Sequence, residues 1–466
     1  MTRLRILSRA SSLSVCLALT ASCSDGRVVG YATPVDGTVT DALTSLSDLE
    51  RAILIKDFGR LPSVAPRDVS NAVAGDGMAA NLGRALFFDA RYSLGGSVAC
   101  ATCHIPGAGF QDNRGNTSRG VDFTERHAPS VLNAAFGSAE GAGSVWQLWD
   151  GRKDSLWAQA LSAPENAVEM GGSRSRVALL IYDKYRVAYE AAFPKDSPMP
   201  KLRDASGAAL IDESGNPHAQ GAALQAWQKL TRDNPALGRA VTRVYVNFGK
   251  AIAAYESRLI SRNSRFDQFR DSIGEGYDGG NHLTASELRG LKLFVGKAGC
   301  SSCHRGPNLT DGKFHNIGIA QTGPHVPAVD RGRADGLLQV KDDEFNCRSE
   351  WSDVPDPKAC AVWALDASDA RVQAGLGAFK TPTLRDVART APYFHTGNAA
   401  SLFDVVNHYA NGGDQGGFQG TLDENLGPLR SSGLTELEKH DLVDFMSALD
   451  GEPLPDQLTQ PPELPK

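Results

Sequence analysis

The chain carries Cys-x-x-Cys-His twice, as "ACATCH" at residues 99–104 and "GCSSCH" at 299–304. Two thiols three residues apart, followed directly by an imidazole, form the attachment signature of a c-type haem. The pairs Cys100 with Cys103 and Cys300 with Cys303 would add across the porphyrin's vinyl groups. His104 and His304 would then meet iron from the proximal side. A zinc site would want two further ligands at short spacing, and a redox dithiol would not need the histidine. The motifs therefore predict two covalent c-type haems as cofactors.

Two such centres imply either a relay or a reactive centre with a supply centre, and the distal sides decide between them. A haem used only for electron transfer normally has a second protein ligand, often methionine. Beyond residue 22 the methionines are Met78, Met170, Met199 and Met446, none of them in the stretch 379–413 that follows the second motif. That stretch offers His395, His408 and Tyr409 instead, and the residues alone leave all three open. After the first motif, the segment 105–130 holds one histidine, His127. An iron lacking a sixth protein ligand is open to peroxide or dioxygen. Cleaving peroxide then needs a group that moves a proton between its oxygens. "WDGRKDSLWAQALSAPENAVEM" supplies Glu169 for that role, with Gln159 beside it.

Helices must position these residues. Leu237, Val241, Val244, Phe248, Ile252, Tyr255 and Leu259 recur every three or four residues, a long amphipathic helix opened by Asn234-Pro235. "TASE" at 284–287 and "TELE" at 435–438 are capping-box patterns. Alternating strand patterns are scarce, while 48 glycines and 24 prolines speak for long loops. The expected fold is mainly α. Residues 49–265 and 284–452 read as two helical domains, one motif in each, joined by a linker over 263–283. Segments 195–232 and 334–377 read as insertions, and 453–466 as an extended Pro-rich tail.

The 466 residues are 41% hydrophobic and 22% charged, with net charge −6 and pI about 6.0. That composition is ordinary for a globular chain and leaves no basic footprint for nucleic acid. Arg3, Arg5 and Arg9 precede the apolar run "LSVCLALTAS", which reads as an export signal over 1–22 and is short for a membrane span. "LTASC" resembles a bacterial lipobox with Cys23 lipidated. The expected location is the periplasm or cell envelope, with a tether over 23–48. Of eight cysteines, Cys347 and Cys360 are left over, which in an exported chain predicts a disulfide.

The stretches "LGRALFFDARYS", "ACATCH", "APSVLNAAF", "LWDGR", "AQALSAPENAVEM", "GLKLFVGKAGCSSCHRGPNLTDGKFHNIG" and "FKTPTLRDVARTAPYFHTG" resemble the bacterial di-haem cytochrome c peroxidase and MauG-type family. The likeness spans about residues 50–450, the two insertions excepted. It implies two cytochrome c-like domains, with the first haem peroxidatic and the second relaying electrons. It places Trp149 between the haems, and Gln159 and Glu169 in the distal pocket. Thr390 and Pro392 match positions whose carbonyls bind calcium. Departures are also visible. Val121 stands where many of these peroxidases have a capping histidine, which implies an open first haem of MauG type. Tyr409 stands at the methionine ligand of the second haem, His127 replaces an asparagine at the calcium site, and Pro164 is shifted by one position.

The expected activity is reduction of hydrogen peroxide with electrons from a small cytochrome c or cupredoxin. A MauG-type oxidation of residues on a partner protein is the alternative, and a non-enzymatic electron carrier the second alternative. Whether the chain forms a homodimer is left open.

Overall fold

In the computed structural model, which describes residues 46–139 and 142–466, the long helix runs Pro235–Glu256. Asn234 caps it, its side chain accepting from Leu237 N at 3.1 Å. Its apolar face carries the buried Val241, Val244, Phe248, Ile252 and Tyr255. The helix Gly77–Phe88 crosses it at very short range. A Cβ at Gly83 would stand 1.9 Å from Ala251 O, so only glycine permits the crossing.

The same device recurs in the second half. Helix Ala285–Val295 opens with the Thr284/Glu287 capping box, and Glu436–Ser447 with the Thr435/Glu438 box. There a Cβ at Gly290 would stand 1.9 Å from Asp441 O. In each half, then, a helix ahead of the Cys-x-x-Cys-His turn packs backbone to backbone on a later helix. The repeat lies in the architecture rather than in the sequence.

Two hydrophobic cores result. Leu82, Leu86, Phe87, Trp157, Val244 and Phe248 belong to the first, and Phe58, Phe266, Leu291, Phe294, Leu442 and Phe445 to the second. The one sheet among the described residues pairs Phe314–His315 with Phe379–Lys380, antiparallel. The chain is thus mainly α with long loops, as expected. No described helix is long and apolar enough to cross a membrane.

The boundaries differ from the sequence reading in four places. Packing already involves residues before 49: Leu46 is buried and Ser47 caps the helix Asp48–Asp57. That helix belongs to the second core, with Phe58 edge-on to Phe266 at a centroid distance of 5.6 Å. An amphipathic pattern reports that a helix has an inner face, not which core receives it. The expected linker contains the helix Arg265–Gly274, capped by Ser264 with Asp267 and tied to Arg385 at 2.8 and 2.9 Å. The Pro-rich tail is not merely extended. It includes the short helix Asp456–Thr459, and Leu454 and Leu458 pack against the first core. Arg84 and Arg91 donate to Gln460 O and Pro465 O at 2.7 and 2.8 Å.

The second insertion is planted on the first half. Phe345 and Trp351 join the first core, and Lys250 bonds Trp351 O and Asp353 at 2.8 and 2.6 Å. Cys347 and Cys360 form a disulfide there. The expected signal over 1–22, Cys23 and all but the last three residues of the tether lie outside the described residues.

Candidate functional site

Each Cys-x-x-Cys-His segment is a single tight turn. Cys100–Cys103 is helical and Cys300–Ser302 is a 3₁₀ turn, and both histidine amides donate to the first cysteine's carbonyl at 2.9 Å. The histidine side chains are set alike. His104 Nδ1 lies 3.0 Å from Pro129 O and 3.3 Å from Phe110 O, and His304 Nδ1 lies 3.1 Å from Leu309 O. A carbonyl accepts only, so each Nδ1 carries the proton and each Nε2 keeps its lone pair. Burial holds both imidazoles neutral, lowering His104 and pushing His304 down to about 4. These are the requirements of an axial ligand.

The thiols fit attachment rather than redox exchange. Burial pushes Cys100 and Cys300 up to about 12 and Cys103 up to about 11, far from the thiolate a dithiol oxidoreductase needs. Both pairs are unbridged. Both motifs line one continuous cavity of about 1070 Å³. That exceeds the roughly 300–1,000 Å³ of an ordinary small-molecule pocket. The residues present therefore fit two covalently held porphyrins.

Glu169, Gln159 and Trp149 line the same cavity. Gln159 stands on the short helix Leu156–Ala160, capped by Ser155. Glu169 lies in the loop after Ser162–Glu165, where Asn166 Nδ2 donates to its Oε1 at 3.0 Å. Burial raises its carboxyl above the usual range, against the partial opposition of Arg152 and Lys153. Trp149 Nε1 donates to His127 O at 2.8 Å, and its ring meets His395 edge-on at 6.4 Å. Val121 is exposed, and its amide donates to Glu169 O at 2.9 Å. It offers no ligand. Pro164 is buried behind the loop.

At the second motif the three open ligand candidates separate. His408 Nε2 lies 2.8 Å from Ile317 O, so it is a donor there. His395 is stacked on Phe379, with Nε2 2.8 Å from the Gln321 amide. Tyr409, on the helix Leu402–Ala410, lines the cavity near Cys300 and Cys303, and burial raises its hydroxyl well above the usual value.

The carbonyls of Thr390 and Pro392 meet an amide in this structure. Gln111 Nε2 donates to both carbonyls, to Pro392 O at 3.0 Å. The neighbouring Asp112 carboxylate is turned to Arg114 at 2.7 Å. Calcium seeks six to eight oxygens, carboxylates among them, and here it would have to displace an amide donor. The expected calcium site is therefore not shown by these residues. His127, at the asparagine's position, is buried with Nδ1 2.9 Å from Asn116 O.

Three cavity-lining residues escaped the sequence reading. Glu256 ends the long helix, its Oε2 unpartnered and its pKa raised to about 8 by burial. Lys380 is lowered to about 8 by burial, and its Nζ donates to Trp146 O at 2.9 Å. His315 stands between Asp311 and Asp423 at 2.9 and 2.6 Å, which raises it to about 11. An acid at the end of an otherwise apolar face was the available signal for Glu256. Isolated charges such as Lys380 carry none.

Comparison with known proteins places this geometry. Residues 78–273 match the family model described as di-haem cytochrome c peroxidase. The chain is 31% identical to methylamine utilization protein MauG of Methylorubrum extorquens, over 91% of this chain and 93% of that one. It is 30% identical to cytochrome-c peroxidase IdrP1 of Denitromonas iodatirespirans, over 84% and 86%. Its fold is similar to the crystal structure of a MauG-like protein associated with microbial copper homeostasis, with TM-score 0.54, 24% identity, and 87% and 96% of the chains covered.

Proposed function

We propose, from the premise that this chain belongs to the di-haem cytochrome c peroxidase family of oxidoreductases and so takes two c-type haems, that it reduces hydrogen peroxide to water. Two electrons and two protons are consumed per peroxide, the electrons coming from a small redox protein such as a cytochrome c or cupredoxin. The bound haems supply the redox chemistry, with peroxide reduced at the His104 centre and electrons entering at the His304 centre.

The chain's own residues do the rest. His104 and His304 each present Nε2, held by the Nδ1–H bond to a backbone carbonyl. A Glu169 carboxylate oxygen would accept a proton from one peroxide oxygen and return it to the other. Asn166 holds that carboxyl through Oε1, and Gln159 orients the peroxide. Trp149 lies in the wall shared by the two centres. Tyr409 would join His304 in holding the second haem, and an anionic tyrosinate there would favour the ferric state relative to methionine. The carrying observation is Glu169: an acid of raised pKa facing the cavity that holds His104.

Val121 and Tyr409 favour a second reading, oxidation of residues on a partner protein. Turnover with a reduced small cytochrome separates the two. Export by residues 1–22 and a lipid anchor at Cys23 belong to the same proposal. The first test is an EPR spectrum of the ferric holoprotein before and after stoichiometric peroxide. A high-spin signal that vanishes with peroxide is expected. Two low-spin signals indifferent to peroxide would overturn the assignment and return the chain to electron carriage.

A further inference from the structure

The insertion 195–232 is polar and largely exposed, yet it holds one buried polar side chain, Asn216, 3% exposed. Its position bears on Glu169. Residues 166–171 form the loop that carries Glu169 between two stems, Glu165 and Gly172. Asn216 Nδ2 donates to both stem carbonyls, at 3.3 Å to Glu165 O and 3.0 Å to Gly172 O. The carboxamide is itself fixed, its Oδ1 accepting from His218 N at 2.8 Å. Its own amide donates to Ala223 O at 3.2 Å.

The rest of the loop is held from the opposite side. Leu94 N donates to Met170 O at 2.7 Å, and Val121 N to Glu169 O at 2.9 Å. A Cβ on Gly120 would stand 1.9 Å from Glu169 O, so this wall touches the loop backbone. The stem acid Glu165 is locked to the buried Arg174 through Nε and Nη2, both at 2.9 Å. Asn216 alone among these groups bonds both stems with one side chain.

We infer that Asn216 is a positioning residue for the distal acid: by joining the stems of the 166–171 loop it fixes where the Glu169 carboxyl points. The insertion is then a working part of the reactive centre. The inference rests on the peroxide reading given above. Its physical basis is that small displacements of a reacting group, of order 1 Å, cost up to about 10²-fold in rate.

The test uses the holoprotein and the variants N216A and N216D. Alanine removes the donor, and aspartate sets an acceptor against two carbonyls. Haem content, thermal midpoint and the rate of peroxide consumption across pH are measured, with E169Q as reference. Both variants are expected to keep two haems and to lose about 10- to 100-fold in rate. The acidic limb that E169Q abolishes should move to lower pH as the carboxyl gains solvent, while Arg152 and Lys153 remain in place. A lowered midpoint with rate and limb unmoved would make Asn216 merely structural and overturn the inference. If E169Q itself leaves the rate unchanged, the peroxide reading fails instead. Should N216D not fold, N216S, too short to reach both carbonyls, carries the same two outcomes.

Discussion

Glu169→Gln separates chemistry from architecture at this site. Gln is isosteric, and its Oε1 can still accept from Asn166 Nδ2, the bond made at 3.0 Å by Glu169. Asn166 Oδ1 accepts from Val168 N and Glu169 N at 3.0 and 3.3 Å, bonds that do not use the Glu169 side chain. The loop therefore keeps its anchors. What disappears is the oxygen able to accept a proton. General acid–base catalysis is worth about 10²–10⁴-fold, or about 2.7–5.4 kcal/mol of barrier at 1.36 kcal/mol per tenfold. The sign for stability is opposite. The folded carboxyl holds its proton more tightly than the unfolded one, so ionising it costs stability as pH rises through the raised pKa. Gln carries no such cost, and the variant at pH 7 should melt at the same temperature or higher. Stopped-flow peroxide reaction of the ferric holoprotein gives the rate, and calorimetry the midpoint. Wild type should show a rate that climbs with pH through the raised pKa, a limb absent from the variant. A rate within about threefold of wild type would refute proton transfer by Glu169. So would parallel losses of rate and stability, which would mark a structural residue.

Other outcomes follow from the same geometry. Tyr409→Phe should change the ferric spectrum of the second haem, and an unchanged spectrum would remove Tyr409 as its ligand. EDTA should leave the optical spectrum, peroxide rate and thermal midpoint unaltered, because Gln111 occupies the carbonyls of Thr390 and Pro392; stoichiometric calcium by metal analysis would contradict this. Glu256→Gln should flatten the loss of stability with rising pH. The wild-type acid stays protonated up to about 8 when folded but ionises near 4.3 when unfolded, so stability declines between those values. Denaturant melts across pH read this directly. Reducing Cys347–Cys360, whose partners are 13 residues apart, should lower unfolding stability by about 2–4 kcal/mol.

What could be read from the sequence was local. Both haem motifs, the caps at Asn234, Thr284 and Thr435, and the apolar face of Pro235–Glu256 depend on neighbours within a turn or two. The unread parts are long-range pairings of single polar groups. Gln111 meets carbonyls some 280 positions later, and Asn216 reaches back about 50 to Glu165. Such bonds need no spacing pattern, so no periodicity announces them. The helix Asp48–Asp57 shows the same limit for apolar groups. Its destination depends on which core receives Leu54 and Phe58, and no local pattern states that.

The two ends of the described chain trade places. The opening helix Asp48–Asp57 completes the second core, and Leu454 and Leu458 close over the first, where Tyr255 donates to Leu458 O at 2.5 Å. Assembly is therefore not vectorial. Domains made in sequence usually fold in sequence, but here the first core includes contacts from Leu454 and Leu458, and the opening helix packs on a core formed some 210 to 400 positions later. Cut between the halves, each piece would leave with the other's missing wall.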